Sequence, residues 1–361
     1  MELDKLLIIA THARMLAQAA RNSGFSPVVI DCYGDQDTQK LAEQYRQVKS
    51  LAVADLTPAI EFFKQQGISQ VVYGSGFEQH SDSLIFLAGH FQILGNHPEN
   101  FIALHNKRDF FQRLRQLNIN YPEVRFTAPD DCEGWLIKPE QSQGGVNIQH
   151  LTKNSSAYLE AAYYYQRYLN GKALSVLFLA DGTQAQVIGY NQQLVTSFTN
   201  QPFVFAAILN QAELSLTQQQ ILTDWINQLT ECYGLRGLNS LDFILADDIC
   251  YVLEINPRPS ASMQLYDGAL FTAHIEACQG KFSNADFKTG CFRLYQIVYA
   301  PAQIQISAEI QWPDGYVDIP TTGAMINPQQ PICSIIASGK NLVELSTDLQ
   351  LKKSFLSTFS I

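Results

Sequence analysis

The stretch Leu241-Asp242-Phe243-Ile244-Leu245, followed by Tyr251-Val252-Leu253-Glu254-Ile255-Asn256-Pro257-Arg258-Pro259, sets two carboxylates and an amide into an otherwise apolar, strand-forming frame. Side chains two apart along a strand share a face, so Glu254 and Asn256 project the same way, roughly 6 to 7 Å apart. With Asp242 opposite Glu254 in a hairpin, Leu245 faces Tyr251, Ala246 faces Cys250, and Asp247 to Ile249 form a three-residue loop. Two carboxylates then meet on one face, where they repel unless a cation lies between them. An all-oxygen set with open positions suits Mg²⁺ carrying nucleotide phosphates. A one-residue slip would turn Asp242 to the other face and dismantle the set. Just beyond, Arg258 places a permanent cation where an anionic substrate or a phosphoryl group would lie. The competing reading is a hairpin whose acids merely face water; the clustering of Asp242, Glu254, Asn256 and Arg258 favours the metal.

A chain of 361 residues can bury a sizeable core and divides naturally into two or three domains or subdomains. With 46% hydrophobic and 16% charged residues it is too apolar for disorder, and its apolar runs are too short to cross a bilayer. A net charge of -10 argues against a general nucleic-acid surface, which needs a basic stripe. The seven cysteines contain no C-x-x-C pair, so neither a zinc site nor a disulfide framework is expected, and reduced, structural thiols are. The start Met1-Glu2-Leu3-Asp4-Lys5 is acidic and runs into a strand, unlike a secretory or transit peptide, so a cytoplasmic location is expected.

Leu6 to Ala10 reads as a buried strand, Arg14 to Asn22 as an amphipathic helix stopped at Gly24, and Pro27 to Ile30 as a second strand ending in Asp31. This βαβ start, with Val71-Val72-Tyr73 running into Gly74-Ser75-Gly76-Phe77-Glu78, predicts a Rossmann-like domain over residues 1–98. Ala10-Thr11-His12-Ala13-Arg14 lacks the G-x-G-x-x-G dinucleotide fingerprint. Further on, Gly134 to Pro139 is a strand ending at Lys138, and Gly144-Gly145 follows, where backbone amides can approach phosphate oxygens closely. Tyr163 to Leu169 leads through Asn170-Gly171 into the strand Ala173–Leu179. A helix from Thr217 to Tyr233, stopped by Gly234, hands over to the acidic hairpin. From Cys291 the chain is β-rich, with turns at Trp312-Pro313-Asp314-Gly315 and Pro320-Thr321-Thr322-Gly323.

In order and in kind these features resemble the ATP-grasp superfamily: a preceding Rossmann-like unit, Lys107, the lid-strand Lys138 with the Gly144-Gly145 loop, a hinge at Gln166 to Gly171, and the metal hairpin. The resemblance implies an α/β (α+β) ATP-grasp fold over 99–290, with a mobile lid at about 121–170 and a small β-rich region at 291–361. It implies that Lys107 and Lys138 hold ATP phosphates and that Gly144-Gly145 covers the γ-phosphate. Gln166 would meet the adenine amino group, and the backbone of Arg167 and Leu169 would read the adenine edge. Asp242, Glu254 and Asn256 would bind Mg²⁺, with Mn²⁺ as an alternative ion, and Arg258 would stabilise the transferred phosphoryl group. Ala173 departs from the pattern, standing where an acidic residue often holds the ribose hydroxyls.

Within the superfamily, Val29-Ile30-Asp31 with Gly34-Asp35-Gln36-Asp37, Gly74 to Glu78, Glu254 to Ser262, and Asp318-Ile319-Pro320 with Pro331-Ile332-Cys333 resemble a narrower group. This is the biotin-carboxylase-related carboligases that include tyramine glutamate ligase of methanofuran biosynthesis. The activity implied is an ATP-dependent carboxylate–amine ligase working through an acyl phosphate on small-molecule substrates, compatible with a homodimer and with no nucleic-acid or membrane partner. Glu78, after the Gly-Ser-Gly turn, is the candidate to bind or deprotonate the amine, and Asp31 a weaker one. A bicarbonate-activating carboxylase and a non-catalytic nucleotide-binding protein are the alternatives. The histidines, His12, His80, His90, His97, His105, His150 and His274, are scattered and read as structural.

Overall fold

A computed structural model describes residues 4–152, 162–266, 269–282, 287 and 290–357. Met1 to Leu3 of the acidic start and residues 153–161 of the expected lid lie outside the described residues. Strands β1 (Lys5–Ala10), β2 (Ser26–Asp31), β3 (Gln44–Gln47), β4 (Gln70–Tyr73) and β5 (Gln92–Ile93) form a parallel sheet in the order β3-β2-β1-β4-β5. Leu6 and Ile8 of β1 enter one core and Leu7 and Ile9 another, which is why this strand reads as an unbroken apolar run. The helix Arg14–Asn22 starts where the sequence predicts it. The order reverses at β1 and β4, so the loops after these two strands flank the crevice in which open parallel sheets place ligands.

A small sheet within the expected lid runs β6 (Val124–Arg125), β9 (Tyr163–Arg167), β7 (Trp135–Pro139), β8 (Gln149–His150). The large antiparallel sheet contains β10 (Lys172–Asp181), β11 (Ala185–Phe198), β12 (Gln201–Asn210), β13 (Arg236–Ala246), β14 (Ile249–Asn256) and β15 (Phe292–Tyr299). With β17 (Tyr316–Val317) and β19 (Pro331–Gly339) its order is β14-β13-β10-β11-β12-β15-β19-β17, while β16 (Ile304–Gln305) and β18 (Met325–Ile326) pair as a separate two-stranded sheet. The strands that flank Tyr168–Gly171 therefore belong to different sheets, so that segment, where the sequence places the hinge, links the two sheets and is not a hairpin turn. The C-terminal strands extend this same sheet, because Tyr295 pairs with Ile208 across β15 and β12. The N-terminal unit is likewise bound to the body by a shared core joining Leu6 and Ile8 to Leu177, Leu179, Leu238 and Phe271.

On the other face of the large sheet lies the helix Leu216–Tyr233, opened by a Ser215–Gln218 capping box and closed by Gly234 at φ 61°. Leu222, Trp225, Ile226 and Leu229, at helical spacing, bury against Val176 and Phe178. Among the described residues no helix is long and apolar enough to cross a membrane.

The hairpin register corrects the sequence reading near the turn and keeps it at the site. Asp242 pairs with Glu254 and Ser240 with Asn256, but Phe243 pairs with Val252, so Leu253 is the extra residue of a β-bulge. Ile244 then faces Tyr251, Leu245 faces Cys250, and the loop has two residues, Asp247 and Asp248, at φ 48° and 62°. Two residues at positive φ make a type I′ turn, whose twist suits paired strands better than the three-residue loop expected.

Candidate active site

The lid, the large sheet and the loops after β1 and β4 enclose a cavity of about 480 Å³. Its walls include Lys138, Gly144, Gly145, the hinge residues Gln166 to Leu169, and Asp242, Glu254, Asn256 and Arg258. Lys107 and Glu78 stand behind this wall, each bonded to a residue in it.

At the hairpin, Asn256 Nδ2 donates to Asp242 Oδ2 at 3.2 Å, and Asp242 Oδ1 is shielded yet has no hydrogen-bond partner among the described residues. Lost hydration and the facing Glu254 push the Asp242 carboxyl up to about 7. Glu254 goes the other way, to about 2, because Lys107 and Lys138 together outweigh its own loss of hydration. Lys107 Nζ sits 3.0 Å from Glu254 Oε2, and a third of the Glu254 side chain stays open. Two facing carboxylates, one with an orphaned oxygen, are a donor set that a hard divalent cation fits. No group of three His, Cys, Asp or Glu side chains able to hold a metal occurs among the described residues, so phosphate and water oxygens would have to complete the shell.

Lys138 projects from β7 toward β9, where its Nζ donates to Gln166 Oε1 at 3.0 Å and lies 5.6 Å from the centre of the Tyr164 ring. Burial lowers its pKa to about 8. A lysine ammonium can only donate, so it fixes the Gln166 amide with its oxygen toward Lys138. What remains is Nε2, a buried donor with no partner among the described residues. A donor suits a ring nitrogen of adenine rather than the amino group expected from the sequence. The Arg167 amide N–H is likewise committed, donating to the Glu123 carbonyl at 2.8 Å, so only its carbonyl could read a base edge. Leu169 and Ala173 line the cavity beside it.

Gly144 and Gly145 lie at φ 64° and 74°. The Gly144 carbonyl accepts from the Phe205 amide at 2.9 Å, and any Cβ on Gly145 would collide with the Phe203 carbonyl. The loop thus rests on β12 and closes the cavity from the lid side. His150 of the lid, Tyr168 of the hinge and Phe203 of β12 meet in a ring cluster with centroids 5.1 to 6.1 Å apart.

Glu78 is placed differently from its expected role. Its Oε1 accepts from Arg258 Nε at 2.6 Å and its Oε2 from the Gly76 amide at 2.8 Å. Burial raises its pKa, but Arg258 overcomes this and holds the carboxyl below its usual range. The side chain is buried and lies outside the cavity wall, so Glu78 positions Arg258 rather than facing an amine in the cavity. Arg258 in turn donates from Nη2 to Asn256 Oδ1 at 3.2 Å, linking Glu78, Arg258, Asn256 and Asp242 in one chain of contacts. Asp31 is further removed, with its carboxylate held by Tyr45 and the Gly34 and Ala13 amides.

Several wall residues escaped the sequence reading. Ser175 pairs with Asp242 across β10 and β13, and its buried hydroxyl has no partner among the described residues. It is the lone polar side chain in Ala173–Leu179, a signal of the same kind that exposed the hairpin. Gln193, His12, Arg14, Gln264 and Tyr295 also line the cavity. His12 Nε2 lies 3.2 Å from Asp35 and 3.4 Å from Asp318. His274 is fully buried, accepts at Nδ1 from the Leu238 amide, and burial lowers its pKa to about 4.

The profile of the ATP-grasp domain matches residues 104–262, which span the lid, the hinge and the hairpin. An uncharacterized protein of Methanocaldococcus jannaschii is 20% identical over 92% of this chain and 88% of its own length. Among solved structures, a β-γ-ATP complex of biotin carboxylase from Campylobacter jejuni superposes with a TM-score of 0.75 at 11% identity, covering 96% of this chain and 90% of its own. L-amino acid ligase from Bacillus licheniformis gives 0.73 at 11% identity over 99% and 98%. At such identities the likeness speaks for the fold. Residues 104–262 are an ATP-grasp domain, and the chain as a whole has the fold shared by biotin carboxylase and L-amino acid ligase.

Proposed function

We propose that the protein is an ATP-dependent carboxylate–amine ligase that forms an amide through an acyl phosphate. The observation that carries this reading is the gathering in one cavity of the oxygen set of Asp242 and Glu254, the cations Lys138 and Arg258, and a glycine loop that shuts over them. In the first step an oxygen of the substrate carboxylate attacks the γ-phosphorus of ATP, the bond to the β-γ bridging oxygen breaks, and ADP leaves. In the second an amine attacks the acyl carbon, inorganic phosphate departs, and the amine loses a proton. Neither step needs a covalent enzyme nucleophile.

Lys138 and Arg258 offset the negative charge that spreads over the moving phosphoryl group, and both are held before substrate arrives, by Gln166 and by Glu78. Lys107 keeps Glu254 ionised and oriented. The Gly144-Gly145 loop excludes water, which would otherwise hydrolyse an acyl phosphate. Asp242, Glu254 and Asn256 would hold Mg²⁺, or Mn²⁺ in its place, which would supply charge neutralisation on the triphosphate.

Glutamate with an amine, the pair used in methanofuran-type cofactor assembly, is the specific assignment that the motif resemblance supports. Purified protein with ATP, Mg²⁺ and panels of acids and amines, read by phosphate release, tests the reading. Release only when acid and amine are present together is expected. Release that depends on bicarbonate alone would favour the carboxylase that the biotin carboxylase fold suggests, and nucleotide binding without turnover would favour a binding protein.

A further inference from the structure

Asp242 and Glu254 begin a polar row that runs straight across the large sheet. Through β14, β13, β10, β11 and β12, Glu254 pairs with Asp242, Asp242 with Ser175, Ser175 with Asn191, and Asn191 with Asn210. Directly opposed residues of antiparallel strands share a face, and here it is the cavity face. Leu174 and Val176, on either side of Ser175, turn the other way and pack with the helix Leu216–Tyr233, whereas Ser175 lines the cavity. Ser175, Asn191 and Asn210 are all buried. Polar groups taken out of water in this way cost free energy unless they are hydrogen-bonded.

The two ends of the row are satisfied and its middle is not. At one end Asn210 accepts at Oδ1 from the Arg293 amide at 2.8 Å and donates from Nδ2 to the Cys291 carbonyl at 3.2 Å. At the other, Glu254 holds Lys107 at 3.0 Å. Asn191 Oδ1 accepts from the Tyr266 hydroxyl at 2.7 Å, which settles which end of that amide is the donor. Asn191 Nδ2, Ser175 Oγ and Asp242 Oδ1 are buried and have no partner among the described residues. In consecutive positions of the row they are a donor, a hydroxyl that both accepts and donates, and an acceptor. Their polarities match in one direction, from Asn191 through Ser175 to Asp242.

Resting on the metal reading of the hairpin given above, we infer that Ser175, backed by Asn191, is a positioning residue for Asp242: in the metal-loaded protein its hydroxyl donates to Oδ1 and fixes the orientation that the carboxylate presents to a divalent cation. Asn256 already donates to Oδ2 at 3.2 Å. With one donor on each oxygen the carboxylate cannot swing, and each oxygen keeps a lone pair for the ion. Hydrogen bonds behind a ligating carboxylate set the geometry in which it meets its metal.

Calorimetric titration of the whole protein with ADP, once in saturating Mn²⁺ and once in EDTA, tests this on wild type, Ser175→Ala and Ser175→Thr. Ser175→Ala removes a single atom from a strand and is expected to bind ADP about tenfold or more weakly than wild type in Mn²⁺, the scale on which such supporting hydrogen bonds act. In EDTA the two should bind ADP equally. Ser175→Thr keeps the hydroxyl and is expected to restore most of the affinity in Mn²⁺. Undiminished affinity of Ser175→Ala in Mn²⁺, a loss of the same size in EDTA, or a threonine variant no better than the alanine one would each overturn the role of Ser175 while leaving the metal reading in place. Wild-type protein that binds ADP no better in Mn²⁺ than in EDTA would overturn the metal reading and the role of Ser175 together.

Discussion

Arg258 and Glu78 are 180 positions apart in the chain, yet Nε of one lies 2.6 Å from Oε1 of the other, tying the end of the acidic hairpin to the turn after β4. The pair is buried on both sides, and it aims the guanidinium at the cavity through Asn256. Such a contact orients a cation without supplying a base.

Glu78→Gln should therefore weaken turnover through Arg258 rather than remove a proton acceptor. Breaking one side of a buried ion pair costs about 3 to 5 kcal/mol, so a lower urea midpoint is expected together with a reduced kcat. The pH–rate profile should keep its acidic limb. Disappearance of that limb in the variant would restore Glu78 as the base.

Glu254→Gln should abolish ATP-dependent phosphate release while the far-ultraviolet circular dichroism stays that of the wild type. The substitution removes one of the two facing carboxylates and the partner of Lys107. Wild-type turnover in this variant would remove the metal assignment.

Gly145→Ala should raise KM for ATP by about tenfold or more, since an L side chain at positive φ costs on the order of 1 kcal/mol before any collision is counted. At Gly145 the added methyl also meets the Phe203 carbonyl, so the lid cannot settle on β12. Gly144→Ala shares the backbone cost at φ 64° but meets only Phe205 Cβ at 4.0 Å. Its KM should move less; equal effects of the two substitutions would argue that the loop does not close against β12.

Stability should fall with rising pH through the His12 cluster. The imidazolium is favoured in the folded protein, with a pKa raised from 6.5 to about 9 by Asp318 and Asp35, against the opposing charge of Arg14. Its contribution is complete below about pH 6.5, the unfolded value, and is lost as pH climbs through about 9. Asp37, raised to about 7, adds a slope of the same sign at lower pH. The gap in denaturation midpoint between wild type and His12→Gln should thus shrink across that window; a constant gap would mean that His12 is neutral in the fold.

Much of the site was readable along the chain because its elements are local. Glu254 and Asn256 share a strand face by simple alternation, and Gly234 announces the end of the helix Leu216–Tyr233, which the structure opens one residue before the expected Thr217. Even there, the turn is one residue shorter than the spacing predicts. The Leu253 bulge and the positive φ of Asp247 and Asp248 are a compromise between two strands, which neither strand shows alone.

Amino-acid order by itself determined the parallel N-terminal sheet, the acidic hairpin with its cation, and the glycine loop, since periodicity and turn chemistry act over a few residues. Only the tertiary structure decided that Glu78 holds Arg258, that Lys138 takes the oxygen of Gln166, and that His12 and Arg14 join Asp318 from the far end of the chain. Those contacts depend on how separate sheets stack, and Coulomb energy acts through space, so no spacing in the sequence encodes which distant charges will meet.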